Sequence, residues 1–299
     1  MDIHLNLQDN DIYQNWRDKK LNNYPTSVEN LIVKIDKPGH PNKRQIMRIR
    51  QICNRANMVI YEGPEKILED KRIALNMGHS IGLSDIERSL TTEKDGVSEL
   101  SVSLSGAKSN YIPYSNNPLG WHTDGCYNDL KHPINGFLLH CVRAAENGGE
   151  NYLLDPDIAY ILLREENPEF IDGLTLPDTL TIPSNVESGI IKREKRVGPA
   201  LSFHSINRST CDFSLHFRYT SRKSHVIWKE DTRTIGALDF LRKILESENP
   251  YIFRIKLKSG SGLIGNNILH NRTKFNDSEH KISKRLIYRI YYRDRVTRI

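Results

Sequence analysis

At 299 residues, with 37% hydrophobic and 27% charged side chains, the chain has the make-up of a polar globular protein with room for one large domain. No apolar run approaches the ~20 residues needed to span a bilayer, and the start Met1-Asp2-Ile3-His4-Leu5 lacks the basic-then-apolar pattern of a secretory signal. The net charge of +6 is scattered, and its densest run, Lys192-Arg193-Glu194-Lys195-Arg196, holds a glutamate and no aromatic residue, so it reads as a solvated loop rather than a nucleic-acid stripe.

The first forty residues are polar and irregular, with Pro25, Pro38 and Pro41 as breakers. A helix is predicted from Pro41, carrying Ile46, Ile49 and Ile52-Cys53 on one face. Asn57 to Tyr61 reads as a buried strand, and a second helix is expected from Pro64 to about Gly78, with Ile67, Leu68, Ile73 and Leu75 apolar. Alternation over Val97 to Leu104 predicts a half-buried strand. Residues 1–110 are thus α+β.

From Tyr111 onward strands dominate. Ile134 to Val142 is one, and Gly148-Gly149 turns into Asn151 to Leu154. Asp155-Pro156 caps a helix that stops before Pro168. Short strands follow near Leu180–Ile182, Ala200–His204 and Leu215–Tyr219, then a helix from Thr234 to Glu246 with Leu238, Leu241 and Leu245 on one face. The basic, aromatic stretch from Arg218 to Trp228 reads as exposed loop, with a pocket or lid role as the alternative. Tyr251–Leu257, Asn267–His270 and Arg285–Arg293 are the closing strands. With no internal repeat or linker, the expectation is one α+β, mainly β domain over 1–299. Its core over 111–299 would be a double-stranded β-helix (a jelly roll, cupin-like) with N-terminal and inserted helices.

The stretch that carries chemistry is Trp121-His122-Thr123-Asp124-Gly125. In extended backbone His122 and Asp124 point to the same side. One imidazole and one carboxylate are two members of the facial triad that suits Fe(II) and leaves coordination positions open. The competing view is a surface turn at Asp124-Gly125. Candidates for a third ligand are Cys126, His140, His204, His216, His225, His270 and His280; His270 ends an apolar strand, and His216 is the second choice. Arg285 and Arg289 alternate onto one face of the last strand, which is either solvent-exposed or a guanidinium clamp for carboxylate. The cysteines Cys53, Cys126, Cys141 and Cys211 show no Cys-x-x-Cys spacing, so a reduced, cytoplasmic, disulfide-free setting is expected.

His-x-Asp, the Gly-Gly step, a distal His and a paired Arg-x-x-x-Arg together resemble the taurine dioxygenase (TauD/TfdA) family of Fe(II)- and 2-oxoglutarate-dependent oxygenases. The resemblance covers roughly Tyr111 to the C-terminus. It implies His122, Asp124 and His270 as iron ligands, Arg285 holding the distal carboxylate of 2-oxoglutarate, and Arg289 facing the co-substrate or an anionic group of the primary substrate. Asn151 stands where the family has a threonine or similar polar residue that contacts 2-oxoglutarate. The implied reaction consumes O2, releases succinate and CO2, and hydroxylates an unactivated C–H bond of a small molecule. Nucleic-acid and membrane partners are not expected. The alternative from another class is a non-catalytic β-barrel whose metal site is vestigial.

Overall fold

The computed structural model describes residues 10–65, 69–88, 92–187, 189–207, 212–277 and 284–297. In chain order its helices are α1 (Asn10–Asn22), α2 (Lys43–Ala56), α3 (Lys71–Ser80), α4 (Pro156–Glu166), α5 (Glu169–Thr175) and α6 (Thr232–Glu246). The strands of the first half are β1 (Ile32–Lys34), β2 (Met58–Glu62), β3 (Ile86–Glu87), β4 (Ser98–Leu100), β5 (Leu119–His122), β6 (Gly136–Arg143), β7 (Asn147–Gly148) and β8 (Asn151–Leu154). Then come β9 (Leu180–Ile182), β10 (Asn185–Glu187), β11 (Ile190–Arg193), β12 (Arg196–Gly198), β13 (Leu201–Asn207), β14 (Asp212–Phe217) and β15 (Ile227–Trp228). The last are β16 (Phe253–Ile255), β17 (Gly262–Gly265), β18 (Leu269–Arg272), β19 (Phe275–Asn276) and β20 (Leu286–Tyr292). Helix and strand are mixed, and sheets dominate. Among the described residues no helix is long and apolar enough to cross a membrane.

Two compact units partition the chain. The sheet unit comprises 25–120, 132–153 and 253–299. Its main sheet runs β1-β2-β17-β6-β20-β3, with β4 also on β20, and a second sheet runs β16-β8-β18-β5. All seven residues of β20 are buried, as a strand between two covered faces must be. Helix α2 is stopped and started by its own residues: Asn42 and Gln45 exchange side-chain-to-backbone hydrogen bonds of 3.0 and 2.9 Å, and Asn57 ends it in the left-handed region. Ile49, Ile52, Cys53 and Ala56 form its buried face, whereas Ile46, expected on that face, is only half-buried.

The insert unit comprises 1–24, 121–131 and 154–252. It holds the hairpins β10–β11 and β13–β14, the sheet β12-β9-β15, and helices α1, α4, α5 and α6. Asp231 caps α6 by accepting from the backbone N–H groups of Arg233 and Thr234.

Several sequence expectations are corrected. Helix α1 occupies a stretch expected to be irregular; it buries only Tyr13, so it shows almost no apolar stripe. Its contacts are polar and aromatic: the Tyr13 hydroxyl donates to Glu165 at 2.7 Å, Lys20 lies 2.6 and 2.7 Å from Asp155 and Asp157, and the Tyr13 and Trp16 rings meet Tyr160 edge-on at 6.2 and 5.7 Å. The second predicted helix begins after Asp70 rather than Pro64, and it buries Ala74, Met77 and Gly78 instead of Ile73 and Leu75. A small residue is needed at Gly78, where a Cβ would lie 2.1 Å from the Tyr292 hydroxyl. Ile67 and Leu68 lie outside the described residues. The strand expected over Val97–Leu104 shrinks to β4, and Leu104 is 88% exposed. The run Lys192–Arg196 is not a plain loop but contributes to β11 and β12, and Arg218, Tyr219 and Thr220 are buried rather than exposed.

Candidate active site

In the insert unit, the segment around His122 is held by a backbone ladder. Ser221 N–H donates to Trp121 O at 2.9 Å, Thr123 N–H donates to Tyr219 O at 3.0 Å, and His122 bridges Thr220 in antiparallel fashion. The Thr123 hydroxyl accepts from Tyr219 N–H at 3.0 Å, and the Trp121 indole donates to Leu245 O at 3.1 Å. With Thr123 turned to that neighbour, period two sends His122 and Asp124 the other way together. His122 Nε2 and Asp124 Oδ1 are 3.8 Å apart, with Asp124 buried. Gly125, at φ +70°, then turns the chain, and Asn128 N–H closes the turn on Gly125 O. The pair is therefore part of a packed strand end and not a loose surface turn.

In the sheet unit, His270 lies on β18, buried, with its ring 5.0 Å from that of Phe137. Its Nδ1 is 3.0 Å from Ile268 O. A carbonyl can only accept, so Nδ1 carries the proton and Nε2 has the lone pair, the tautomer that ligates metals. The rival candidates have other surroundings. His140 is fully buried, bonded through Nδ1 to the Tyr61 hydroxyl at 2.8 Å, and burial pushes it down to about 4. His216 packs edge-on against His204 at 5.8 Å, and His225 against Tyr127. Burial pushes the Cys126 thiol up to about 12, far from the thiolate a metal prefers. Cys53, Cys126 and Cys141 are buried free thiols, whereas His280 and Cys211 lie outside the described residues.

A pocket opens within the same sheet unit, lined among others by Leu139, Cys141, Asn151, Lys256, Arg285 and Ile287. Gly148 and Gly149, at φ +73° and +75°, make the turn that admits it; a Cβ on Gly148 would lie 2.2 Å from Lys274 O. Arg285 is 8% exposed, its Nη1 is buried without a hydrogen-bond partner, and no carboxylate lies within ion-pair distance of it among the described residues. Burial lowers its pKa. Its guanidinium lies 4.9 Å from the Phe275 ring, and Arg272 lies 4.9 Å from the same ring. Burial first, and Arg285 second, push Arg272 down to about 9. Among the described residues Arg272 hydrogen-bonds only to neutral carbonyls, those of Ser115 and Asn117. Asp277 accepts the Arg285 backbone N–H at 2.6 Å and its charge reaches the guanidinium, but among the described residues no carboxylate is within ion-pair distance of either arginine, which leaves their donors available to an anion. Arg289 is buried as well, paired with Leu139 across β20–β6 and 4.3 Å from the Tyr291 ring, but it does not line this pocket. The solvent-face alternative for the arginine pair is thereby excluded. Sequence reasoning overlooked Arg272; the signal was its place two residues beyond His270, hence on the same strand face.

Against known families, residues 19–291 match the model described as taurine catabolism dioxygenase TauD, TfdA family. The chain belongs to that family. Among curated relatives, a uridine-5'-phosphate dioxygenase from Amycolatopsis sp is 28% identical over 163 residues, 52% of this chain and 55% of that protein. One of the same name from Streptomyces sp is 27% identical over 197 residues, 64% of this chain and 68% of that protein. The first match thus spans little more than half the relative's length. Among solved structures, an asparagine oxygenase in complex with Fe(II), 2S,3S-3-hydroxyasparagine and succinate superposes with a TM-score of 0.59 at 16% identity, covering 83% of this chain and 78% of that one.

Proposed function

We propose that the chain is a cytoplasmic Fe(II)- and 2-oxoglutarate-dependent dioxygenase that hydroxylates an unactivated C–H bond of a small molecule. On this reading residues 1–299 work as one catalytic domain with a double-stranded β-helix core. His122, Asp124 and His270 hold the iron. The observation that carries it is the His122–Asp124 pair, 3.8 Å apart at a packed strand end, in a TauD/TfdA chain. His270 is offered as the third ligand because its Nδ1 is turned to Ile268 O, which leaves Nε2 for a metal. Two neutral imidazoles and a carboxylate suit Fe(II), where thiolates would favour zinc. An aspartate ligand also leaves no position for halide, which speaks against halogenation.

When bound, iron would supply the oxidising chemistry that no side chain can. The chain's own part is positioning. Arg285 receives the distal carboxylate of 2-oxoglutarate in the sheet-unit pocket, its unpartnered Nη1 being the donor, and Asn151 adds an amide from the pocket wall. The apolar lining from Leu139, Cys141 and Ile287 keeps that ion pair out of water, where it is strongest. Arg289 serves the primary substrate, for which the relatives named for uridine 5'-phosphate and asparagine suggest a small polar or anionic molecule. A barrel with a vestigial metal site is not favoured, because such a chain has no use for buried, unpaired arginines.

The test is anaerobic addition of Fe(II) and 2-oxoglutarate to the purified protein, followed by absorbance and iron content. A lilac charge-transfer band with one iron per chain is expected. His122→Ala, Asp124→Ala and His270→Ala should each abolish it while far-UV circular dichroism stays unchanged. Full iron binding by His270→Ala would move the third ligand to His216.

A further inference from the structure

We propose that the insert unit contains a binding site for a phosphate, or a comparable dianionic group, of the primary substrate, formed by Arg193, Arg218 and Arg222 around Tyr127. This deepens the dioxygenase reading and rests on it for the identity of the ligand as substrate.

Tyr127 follows Asp124 by three residues, in the turn that Gly125 opens. Its neighbourhood is crowded with cations. The Arg193 guanidinium lies 5.0 Å from the Tyr127 ring, and His225 lies 6.2 Å from it. Arg218 donates from Nη2 to Cys126 O at 3.0 Å and from Nη1 to Pro199 O at 3.4 Å. Arg222 acts electrostatically on both Tyr127 and His225; together with burial, Arg222 and Arg193 hold the His225 imidazole below its ordinary range. The floor is apolar: Cys126, Leu180, Ile182 and Val226 pack together with Tyr127 and Trp228 against them.

Charge is what makes this cluster unusual. The one carboxylate in it, Asp129, is engaged by Arg196. Among the described residues no carboxylate lies within ion-pair distance of Arg193, Arg218 or Arg222. Arg218 is 3% exposed and is served only by neutral carbonyls, while Arg193 has a buried Nε with no hydrogen-bond partner. Arg193 and Arg222 act on Tyr127 and His225, and Arg218 sits behind them at Cys126, where Arg196 is a further cation and Asp129 the carboxylate that acts on it; cations gathered at the edge of an apolar cluster favour an anion that joins them. The planar guanidinium fork is the donor that fits phosphate oxygens two at a time, and the half-buried face of Tyr127 gives a sugar or ring a surface to lie against.

The arginines are also tied to the metal-ligand segment. Arg218 and Arg222 flank the stretch Tyr219 to Ser221, whose backbone bonds to Trp121 and Thr123. A phosphate held by them would therefore be positioned by the same ladder that positions His122 and Asp124.

The experiment is calorimetric titration of the full chain, loaded anaerobically with Fe(II) and 2-oxoglutarate, with uridine 5'-phosphate, uridine and inorganic phosphate. Uridine 5'-phosphate should bind at least about tenfold more tightly than uridine, and inorganic phosphate should compete with it. Arg193→Gln and Arg222→Gln, both at partly exposed positions that leave the core intact, should each weaken uridine 5'-phosphate about tenfold, leave uridine unchanged and leave the lilac band intact. If neither phosphate probe binds in an arginine-dependent way while the wild-type band is present, this site is wrong and the dioxygenase reading stands. If phosphate binding depends on the arginines but no band forms, the dioxygenase reading fails and the anion site stands.

Discussion

Both units of this protein keep arginines without carboxylate partners, but they do so in different ways. In the sheet unit, Arg285 and Arg272 share the Phe275 ring and are walled in by regular strands; both are less than a tenth exposed. In the insert unit, Arg193 and Arg222 are partly exposed, on short strands and turns, and only Arg218 is buried. The first arrangement is expensive and rigid, which suits a ligand that is the same in every turnover. The second is cheaper and adjustable, which suits the part of a family that varies its substrate. On the proposed reading, a constant co-substrate on sheet and a variable one on loops would follow the usual division between rigid elements and connecting segments.

The comparison breaks most visibly at Arg285. Losing a charge-assisted contact in a dry pocket costs ~1.5–3 kcal/mol, or roughly 10- to 150-fold in affinity. Arg285→Ala should therefore raise the dissociation constant of 2-oxoglutarate by that factor in anaerobic absorbance titrations, whereas Arg222→Gln should leave it unchanged. An unaltered constant in Arg285→Ala would mean that the pocket is not the co-substrate site.

The sheet unit also contains a buried group that titrates. His140 is held down to about 4 by burial, against an ordinary value of 6.5. As pH falls through 6.5 the unfolded chain takes up a proton that the folded chain refuses, so stability is full above pH 6.5 and is lost as pH falls towards 4. Between pH 7 and pH 5 this amounts to about 2 kcal/mol. Urea midpoints of the metal-free protein should fall accordingly, and His140→Phe should flatten the dependence. A profile identical in both proteins would place the acid sensitivity elsewhere.

A smaller effect of opposite sign is expected from Arg285→Met. Removing a buried cation whose Nη1 has no partner relieves desolvation of about 1–2 kcal/mol. The ligand-free protein should melt higher while 2-oxoglutarate binding is lost; Arg193→Gln should show no such gain. A lower melting temperature for Arg285→Met would mean that its packing on Phe275 matters more than its charge.

What the sequence revealed of this arrangement divides along physical lines. Helices α2, α4 and α6 were legible from their apolar spacing, and α4 also from its Asp155 cap; the caps Asn42 and Asp231 went unread, so α2 and α6 were expected to start at Pro41 and Thr234 where they start at Lys43 and Thr232. His122 and Asp124 were legible because period two is a local property. Helix α1 was not, because it is held by a tyrosine hydroxyl and an ammonium reaching distant carboxylates and by the Tyr13 and Trp16 rings against Tyr160, too few apolar positions to show a helical period. Arg272 and Arg218 were missed for a related reason. A buried, unpaired arginine looks like any surface arginine until the fold shows what is absent around it.

The smallest expected effect is at Asn151, and it decides how far the pocket reaches. Asn151 is buried where β8 begins, opposite Ile255, immediately after the Gly-Gly turn. Its amide has one internal contact, a long one of 3.5 Å to Gly149 O. That is too weak to explain a buried carboxamide, so a ligand oxygen is the better partner for its second donor. A neutral hydrogen bond contributes about 0.5–1.5 kcal/mol, or roughly two- to twelvefold in affinity. Asn151→Ala should weaken 2-oxoglutarate by that factor, and Asn151→Thr, which keeps a donor on a strand-compatible side chain, should recover most of it. Both variants should bind iron normally. Equal affinities for alanine, threonine and asparagine at this position would reduce Asn151 to a residue that only starts a strand and would leave Arg285 to hold the co-substrate carboxylate without it.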